Sequence, residues 1–328
     1  MSPSAKTERL KPAALHPGDT VGIIAPASGF NRDDFEKGCC RLREMGYEPS
    51  YLPSIFDRDL YMAGAIERRV DEFHEIFRRP EIKAILCARG GYGANYLLPY
   101  VDLSLVRRNP KIFLGCSDVT SLLIYLLDAA GMVAFHGPML AGDFARADGL
   151  DLESWQAAVA SETPYEHRFG RHEVQLLAPG TAEGILYGGC LTLLCASLGT
   201  PYEIHTKGTI LFLEDRGEAP YRIDRMLRQL KLAGKFQEVR GIIFGEMLDC
   251  DPPPGQHYTL QDVVMRVLGD LHVPIAYGLR SGHVRRASFT LPLGVRAVLT
   301  AEDEVGLRYE SGVAVPHATA PAPPEGRR

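Results

Sequence analysis

The sequence predicts an α/β protein with two domains: an N-terminal domain built on a parallel sheet, and a smaller, β-rich C-terminal domain. Three observations support this class. Apolar strand-like runs alternate with helix-like runs in the first half, a pattern typical of a parallel sheet covered on both faces. The stretch from 275 to 309 instead contains short β-like segments separated by turns. Finally, a chain of 328 residues is too long for one ordinary core.

The first half is predicted to alternate strands with helices in a Rossmann-like order. Asn31 can cap the first helix, and Gly46 can end it. In such sheets, binding sites form beyond the carboxyl ends of the strands. The residues that follow the third and fourth strands are therefore expected to face one crevice. Strands are predicted at 20–25, 48–52, 84–88 and 112–115, and helix-like runs at 31–45, 66–77 and 119–130.

The domain boundary is predicted where the regular alternation weakens, after a helix at 152–160. Polar residues, proline and glycine are frequent from 163 to 180. We therefore place the first domain at 1–165, a linker at 166–180 and the second domain at 181–317. In the second domain, strands are predicted at 209–213 and 239–244, and helices at 191–198, 220–232 and 260–268. The Pro-rich end, 318–328, has nothing apolar to pack and is predicted to be a disordered tail.

Composition argues against several classes of function. A net charge of -5, with scattered basic residues, gives no support for nucleic-acid binding. The apolar runs are far too short to span a membrane. None of the seven cysteines forms a C-x-x-C pair, which favours reduced thiols in the cytoplasm. No H-E-x-x-H motif or zinc-like Cys/His spacing is present, so neither a metal nor another cofactor is predicted.

The segment 115–118, with sequence GCSD, places a serine between a predicted strand and a predicted helix. At such a turn the hydroxyl of Ser117 stands clear of the sheet, and nearby backbone N–H groups can stabilise an oxyanion. The alternative is that Ser117 or Asp118 simply caps the helix. The segment is not the nucleophile elbow of α/β-hydrolases, because Val119 occupies the position of a required glycine. Cys116 is a rival nucleophile, but its place in an apolar run favours packing.

Two further residues are candidates to activate a serine. A serine hydroxyl is a poor nucleophile until a base, usually a histidine held by a carboxylate, takes its proton. Glu214 ends a predicted buried strand, and His283 lies in the Gly-containing turn 281–283. Each of them alone is more often an ordinary exposed residue. Together with Ser117 they form a candidate catalytic set.

The glycine-rich segment 89–93, RGGYG, follows the third predicted strand. It does not match the phosphate loop G-x-x-x-x-G-K-[ST], and Tyr96 stands where G-x-G-x-x-G requires its third glycine. Glycines here can allow close backbone approach to a substrate and free an N–H group for an oxyanion. The alternative is a plain glycine-rich turn.

Taken together, these segments resemble the cytoplasmic LD-carboxypeptidases, which are serine peptidases with a Ser-Glu-His triad. The matches span about residues 13–300 and follow the family's order. One departure is Cys190 in the segment GGCLT, where asparagine is expected; it puts a polar contact near the site in doubt. The matching segments are IAPAS at 24–28, RGGYG at 89–93, GCSDVT at 115–120, HGPM at 136–139, FLED at 212–215, GH at 282–283 and LPLG at 291–294.

The resemblance implies a role for each candidate residue. Ser117 would be the nucleophile, and His283 would act as the general base and later as the general acid. Glu214 would orient His283. The backbone N–H groups of Gly91 and Asp118 would form the oxyanion hole.

The resemblance also implies a substrate and a setting. The family substrate is a peptidoglycan tetrapeptide, cut between its L-configured diamino-acid centre and its terminal D-alanine during cell-wall recycling in the cytoplasm. Arg89 is a candidate to bind the carboxylate of this small peptide or muropeptide. Such enzymes need no metal or other cofactor and often form homodimers.

Two alternatives remain open. A related serine peptidase of the microcin-immunity type would cleave peptidyl or aminoacyl adenylates and would add an aromatic loop that stacks on adenine. The one tryptophan, Trp155, lies in the predicted helix between the domains, which does not favour that role. A protein of another class, a non-catalytic α/β binding protein, would have the fold without the chemistry. The presence of all three proposed triad residues argues against it.

Overall fold

The computed structural model describes residues 9–170 and 172–314, whose strands form two sheets. The tail predicted at 318–328 lies outside these residues. Numbered in chain order, the strands are β1 Thr20–Ile24, β2 Glu48–Ser50, β3 Ile82–Cys87, β4 Ile112–Gly115, β5 Ala134–His136, β6 Tyr165–Phe169, β7 Gln175–Ala178, β8 Gly180–Cys190, β9 Thr209–Glu214, β10 Gly241–Gly245, β11 Ile275–Leu279, β12 Leu291–Leu293, β13 Arg296–Ala301 and β14 Val305–Tyr309.

Helices connect most of these strands. The α-helices are α1 Arg32–Glu44, α2 Ile66–Arg78, α3 Leu103–Arg108, α4 Thr120–Tyr125, α5 Leu152–Val159, α6 Leu191–Ala196, α7 Pro220–Leu232 and α8 Leu260–Leu268. Shorter 3₁₀ segments are Pro53–Phe56, Ala94–Tyr100, Ser117–Val119 and Gly269–Leu271. Two π-helical segments are Leu126–Ala130 and Leu140–Phe144. Within the described part of the chain, no helix is long and apolar enough to cross a membrane.

The first sheet confirms the parallel arrangement predicted for the N-terminal half. Its strand order is β12-β5-β4-β3-β1-β2, and the strands from β1 to β5 all pair in parallel. β12 comes from the C-terminal half and pairs antiparallel with β5. Because β3 and β4 are neighbours, the segments 89–93 and 117–119 that follow them leave the sheet side by side.

Local signals account for the helices of this half. The side chain of Asn31 accepts hydrogen bonds from the N–H groups of Asp33 and Asp34, so the predicted cap of α1 is confirmed. The run predicted as one helix at 119–130 is divided into a 3₁₀ turn, α4 and a π-helical segment. It ends at Gly131, whose φ of 70° lies in the left-handed region that glycine tolerates.

The second sheet contains eight of the described strands in the order β6-β14-β13-β8-β9-β10-β11-β7. Its centre, from β8 to β11, is parallel, and the outer pairs are antiparallel. The α/β class, with a parallel N-terminal sheet and a β-rich second part, is therefore confirmed.

The predicted linker, 166–180, has more structure than its composition suggests. Most of β6 and all of β7 fall within it, and each pairs with an outer part of the second sheet, β6 with β14 and β7 with β11. Both strands lie at sheet edges, where alternate side chains face solvent and can be polar. Edge strands of this kind resemble a polar linker in composition. The domain bounds themselves remain a prediction.

The two sheets share one continuous cluster of buried apolar side chains. β12 reaches back from the C-terminal half into the first sheet, so the halves are interlocked by backbone pairing. This junction lies beside the carboxyl ends of β4, β5 and β9, where the candidate catalytic residues are found.

Candidate active site

Ser117 lies on a sharp turn directly after β4. Its φ of 60° is in the left-handed region, where a serine backbone is strained. The residues at the helix N-caps here are Cys116 and Val119, and neither makes a side-chain capping bond. The interpretation that Ser117 or Asp118 serves as an N-cap is therefore wrong. A strained serine at a strand end is instead typical of a functional position.

The glycine-rich segment lies against this serine. A Cβ atom added to Gly90 would be 2.8 Å from Cβ and 3.0 Å from Oγ of Ser117, so only glycine leaves room for the hydroxyl. Gly91 and Gly93 have φ values of 100° and 119°. The hydroxyl of Ser28 accepts a hydrogen bond from the N–H of Tyr92 at 3.0 Å and holds the segment in place.

The two backbone groups predicted for the oxyanion hole lie in this same region. Asp118 is the second residue of the 3₁₀ turn, where N–H groups lack an acceptor within the helix. Its nitrogen lies 3.4 Å from the position of a Cβ on Gly90, next to Gly91. The segments that carry Gly91 and Asp118 are thus adjacent beside Ser117.

The carboxylate of Asp118 has a separate role that the sequence did not indicate. It is buried, and its Oδ2 accepts a hydrogen bond of 2.7 Å from the N–H of Ala94. Burial raises the pKa of Asp118 to about 6, against the lowering effects of that hydrogen bond and of Arg69. The carboxylate therefore ties the serine turn to the end of the glycine-rich segment.

Glu214 and His283 form a close pair. Glu214 is the last residue of β9 and is almost completely buried. Its Oε2 accepts a 2.7 Å hydrogen bond from the ring Nδ1 of His283 and a 3.1 Å bond from the backbone N–H of the same residue. A Cβ on Gly282 would lie 2.6 Å from the carboxyl carbon of Glu214, so the preceding glycine permits this approach. The ring nitrogen Nε2 of His283 remains available for a reacting group.

The electrostatic interaction within the pair stabilises the charged form of the Glu214 carboxylate and the protonated form of the His283 imidazole. Burial opposes the charged form of Glu214, but the charge and hydrogen bond of His283 and the nearby ring of His136 outweigh it, so the pKa of Glu214 lies well below its ordinary value. Burial also opposes the imidazolium form of His283. The charge and hydrogen bond of Glu214 prevail there, and the pKa of His283 is raised. His283 is thus a stronger base than a free histidine.

Two contacts join the serine turn to this pair across the sheets. Thr120, just after the turn, accepts a 3.1 Å hydrogen bond from the N–H of Cys190, which lies opposite Glu214 in the pairing of β8 with β9. His136 lies 3.7 Å from Glu214, measured from Nε2 to Oε1. Within residues 9–170 and 172–314, no hydrogen bond joins Ser117 to His283. Such bonds often form or tighten only when substrate is bound.

Three other predicted positions are placed as follows. Arg89 is exposed and donates a hydrogen bond to the carbonyl of Gly29 at 2.8 Å. Cys190 is buried, and burial raises the pKa of its thiol well above the ordinary value, so it remains a neutral, small side chain. Trp155 is also buried and packs edge-on against Phe144.

His136 and Ser281 were not given roles from the sequence. His136 belongs to the HGPM match, but no spacing rule connects it with Glu214. Its Nδ1 lies 2.9 Å from the hydroxyl of Ser281, a residue 145 positions away. Among the described residues, no group of three or more His, Cys, Asp or Glu side chains is arranged to hold a metal ion.

The residues of this site define a class of protein. A strained serine at a strand end, next to glycine-rich backbone and across from a histidine held by a buried carboxylate, is the arrangement of a serine hydrolase. The two sheets place these groups on different halves of the fold, so the site lies between the halves.

Comparison with known proteins identifies the family. The sequence matches the N-terminal domain of LD-carboxypeptidases over residues 21–137 and their C-terminal domain over residues 183–299. A probable murein peptide carboxypeptidase of Bacillus subtilis (strain 168) is 37% identical over 305 residues, covering 92% of this chain and 95% of the relative. The chain belongs to the LD-carboxypeptidase family and is a serine-type carboxypeptidase, a hydrolase.

Solved structures show the same two-domain fold. The microcin C7 self-immunity protein MccF, solved with glutamyl sulfamoyl guanosine, has a TM-score of 0.86 and 26% identity. That match covers 93% of this chain and 100% of MccF. A muramoyltetrapeptide carboxypeptidase from Oxalobacter formigenes has a TM-score of 0.79 and 29% identity, with 90% and 100% of the two chains covered.

Proposed function

We propose that this protein releases terminal D-alanine from peptidoglycan tetrapeptides by cutting the L,D peptide bond, in the recycling of cell-wall fragments. The observation that carries the proposal is the 2.7 Å hydrogen bond between the buried Glu214 and the partly exposed His283, across the junction from the strained Ser117. The names of the Bacillus and Oxalobacter relatives support a murein peptide as the class of substrate.

The chemistry follows from the atoms available. His283 takes the proton of the Ser117 hydroxyl on Nε2 while Glu214 holds Nδ1, and the serine oxygen attacks the scissile carbonyl. The N–H groups of Gly91 and Asp118 stabilise the oxyanion. His283 then gives its proton to the amine of the leaving D-alanine, and an ester on Ser117 remains. Water, activated by the same histidine, hydrolyses that ester and restores the enzyme.

A second candidate is hydrolysis of a peptidyl or aminoacyl adenylate, as in the microcin-immunity type. The fold similarity to MccF over 93% of this chain favours it. So do the exposed rings of Tyr61, Tyr92 and Tyr96, which lie beside the glycine-rich segment with neighbouring centroids 6.0 Å apart and offer stacking faces. Trp155 does not contribute, because it is only 2% exposed.

The test is a comparison of four substrates, with products identified by mass spectrometry. These are a free tetrapeptide ending in D-alanine, its all-L analogue, its C-terminally amidated analogue and an aminoacyl adenylate. We expect D-alanine release from the first and release slower by about a hundredfold or more from the next two, because a displacement of about 1 Å at the carbonyl costs that much.

Each other result has a definite meaning. Equal rates on the three peptides would show a peptidase of different specificity. Cleavage of the adenylate alone would favour the second candidate. No turnover by either the wild type or Ser117→Ala would support a non-catalytic binding protein.

We further propose that the enzyme acts in the cytoplasm and forms a homodimer. Its binding partner in the active site is a small peptide or muropeptide substrate. All seven cysteines are free, which supports a reducing compartment. Sedimentation equilibrium should give twice the mass of the chain. The mass of a single chain over the working concentration range would contradict the dimer.

A further inference from the structure

A second buried histidine lies behind the candidate base. His136 ends β5 and has no exposed surface. Its Nδ1 is 2.9 Å from Oγ of Ser281, and its Nε2 is 3.7 Å from Oε1 of Glu214. Glu214 therefore lies between two histidines, with His283 on Oε2 and His136 on Oε1. Only the contact with His283 takes part in the proposed reaction.

The two facing atoms have no other partner. Within the described residues, both Oε1 of Glu214 and Nε2 of His136 are buried without a hydrogen bond. If Nε2 lacked a proton, two acceptors would face each other in a dry interior, which is unfavourable. The form with a proton on Nε2 avoids this repulsion. Ser281 then donates its hydroxyl proton to Nδ1, which accounts for the 2.9 Å contact.

We propose that His136 is a positioning residue for the catalytic pair: its Nε2–H, directed at Oε1 of Glu214 and set by Ser281, fixes the carboxylate that orients His283. This inference rests on the proposed function, because it assigns His136 to the same reaction. The distance of 3.7 Å shortens to a hydrogen bond by a movement of less than about 1 Å. The carboxylate then has a donor on each oxygen.

The position of His136 in the sheet gives this contact its importance. His136 lies opposite Gly115 in the pairing of β4 with β5, two residues before Ser117. His136 therefore links Glu214, on the second sheet, to the strand that precedes the nucleophile, and a contact between them fixes the distance between the two. The ring is kept in place by an edge-on contact with Phe212 at 5.1 Å. Cε1 of the ring would lie 2.9 Å from a Cβ on residue 282, so the glycine at that position leaves the ring its space.

Loss of the contact between His136 and Glu214 should change the pKa of His283. Loss of the donor from His136 leaves the charge of Glu214 to be balanced by His283 alone. The pKa of His283 should then rise further, and the acid limb of kcat should move to higher pH. The other charged groups that act on His283 from the surrounding elements are Asp143, Asp215 and Arg216.

Substitutions at His136 separate positioning from packing. His136→Gln can place an amide N–H near the position of Nε2, whereas His136→Asn reaches only as far as Nδ1. We expect His136→Gln to keep kcat within a few-fold. His136→Asn should lower kcat by about 10- to 100-fold, the range for losing a hydrogen bond to a buried charge, with KM unchanged and the acid limb raised. The exposed His16 supplies a control, His16→Gln, which should change none of these quantities.

Ser281→Ala tests the second half of the arrangement. It removes the donor to Nδ1 without touching Glu214, so we expect a smaller loss of kcat with the same direction of pH shift. The proposal is wrong if His136→Gln and His136→Asn lose activity equally, or if His136→Asn is folded with an unchanged kcat and acid limb.

A measurement without substrate keeps this inference separate from the proposed function. In wild-type protein labelled with ¹⁵N-histidine, NMR should show the proton of His136 on Nε2. A proton on Nδ1 alone would overturn the proposal even if the enzyme is an active carboxypeptidase. A proton on Nε2 would uphold the arrangement even if none of the peptides tested is cleaved.

Discussion

At the residue scale, the backbone of Ser117 is held in a conformation that serine rarely adopts. A positive φ in a non-glycine residue costs on the order of 1–3 kcal/mol, and the surrounding contacts must compensate for it. The buried carboxylate of Asp118 provides one such contact, its hydrogen bond to Ala94. Glycine at position 90 leaves the space that the side chain of Ser117 occupies. In this conformation the hydroxyl lies against the glycine-rich segment, at the carboxyl end of β4.

Replacement of the nucleophile should abolish turnover and leave the fold intact. Ser117→Ala removes the attacking oxygen, which typically costs on the order of a millionfold in kcat. Peptide hydrolysis and circular dichroism would measure the two effects. Cys116→Ala is the matched control: the Cys116 thiol is buried, its pKa is raised well above the ordinary value by burial, and we expect activity to persist. Full activity in folded Ser117→Ala would refute the triad.

The pH dependence should report the pair of Glu214 and His283. Activity falls in acid because protonated His283 cannot accept the serine proton. Since the pKa of His283 is raised by Glu214, the midpoint of the acid limb of kcat/KM should lie above the ordinary imidazole value of about 6.5. Glu214→Gln removes the raising charge, so the limb should move to lower pH. The rate should also drop by about 10⁴-fold, as expected when the orienting carboxylate is lost. An acid limb at the same pH in the wild type and in Glu214→Gln would contradict the interaction between Glu214 and His283.

At the element scale, two turns after neighbouring strands act as one unit. The segment 89–93 follows β3, and the serine turn follows β4. Arg69, buried in α2, donates hydrogen bonds of 2.7 Å to the carbonyls of Gly93 and Pro26. Asp118 holds Ala94 from the other side. The C-terminal end of the glycine-rich segment is therefore anchored by two side chains before any substrate binds.

Adding a methyl group at Gly90 should displace the nucleophile. The Cβ of Gly90→Ala would come within 3.0 Å of the Ser117 hydroxyl oxygen, and the φ of Gly90 is not among the positive values. We expect kcat to fall about a hundredfold or more, as for a displacement of about 1 Å, and the melting temperature to fall as well, because Cβ of Ser117 must shift. Gly142→Ala, where nothing lies within 4 Å of the added Cβ, should leave both unchanged. Equal behaviour of the two variants would contradict the close contact.

At the scale of the whole molecule, the site depends on the fit between two sheets. β12 returns to the first sheet, the buried apolar cluster is continuous, and polar contacts cross at Thr120 and at His136. Each of these contacts sets the position of one half against the other. The distance between Ser117 and His283 therefore depends on how the two sheets pack at the junction.

Removal of a crossing hydrogen bond should affect stability and catalysis together. Thr120→Val keeps the shape of the side chain but leaves the buried N–H of Cys190 without its acceptor, which costs about 1–3 kcal/mol. We expect lower stability to urea and a reduced kcat at temperatures where the protein stays folded. Thr181→Val, at an exposed position that bonds Glu302, is the matched control. Unchanged stability in Thr120→Val would show that this contact does not hold the junction.

Several features could be predicted because they depend on neighbours in the chain. The apolar runs became the parallel strands β1, β3 and β4, and Asn31 caps α1 as its position predicts. Ser117 was expected on a strand-to-helix turn for the same reason. The strands within 166–180 were missed because a polar edge strand and a polar linker share one composition.

The sequence by itself determined the α/β class and the places of serine, glutamate and histidine at the ends of elements, because hydrophobic period and turn residues act over a few positions. Only the tertiary structure decided which of these groups meet. Glu214 and His283 are 69 residues apart, and Ser281 contacts His136 across 145. Such contacts depend on how two sheets pack, and no local pattern along the chain encodes the distance between them.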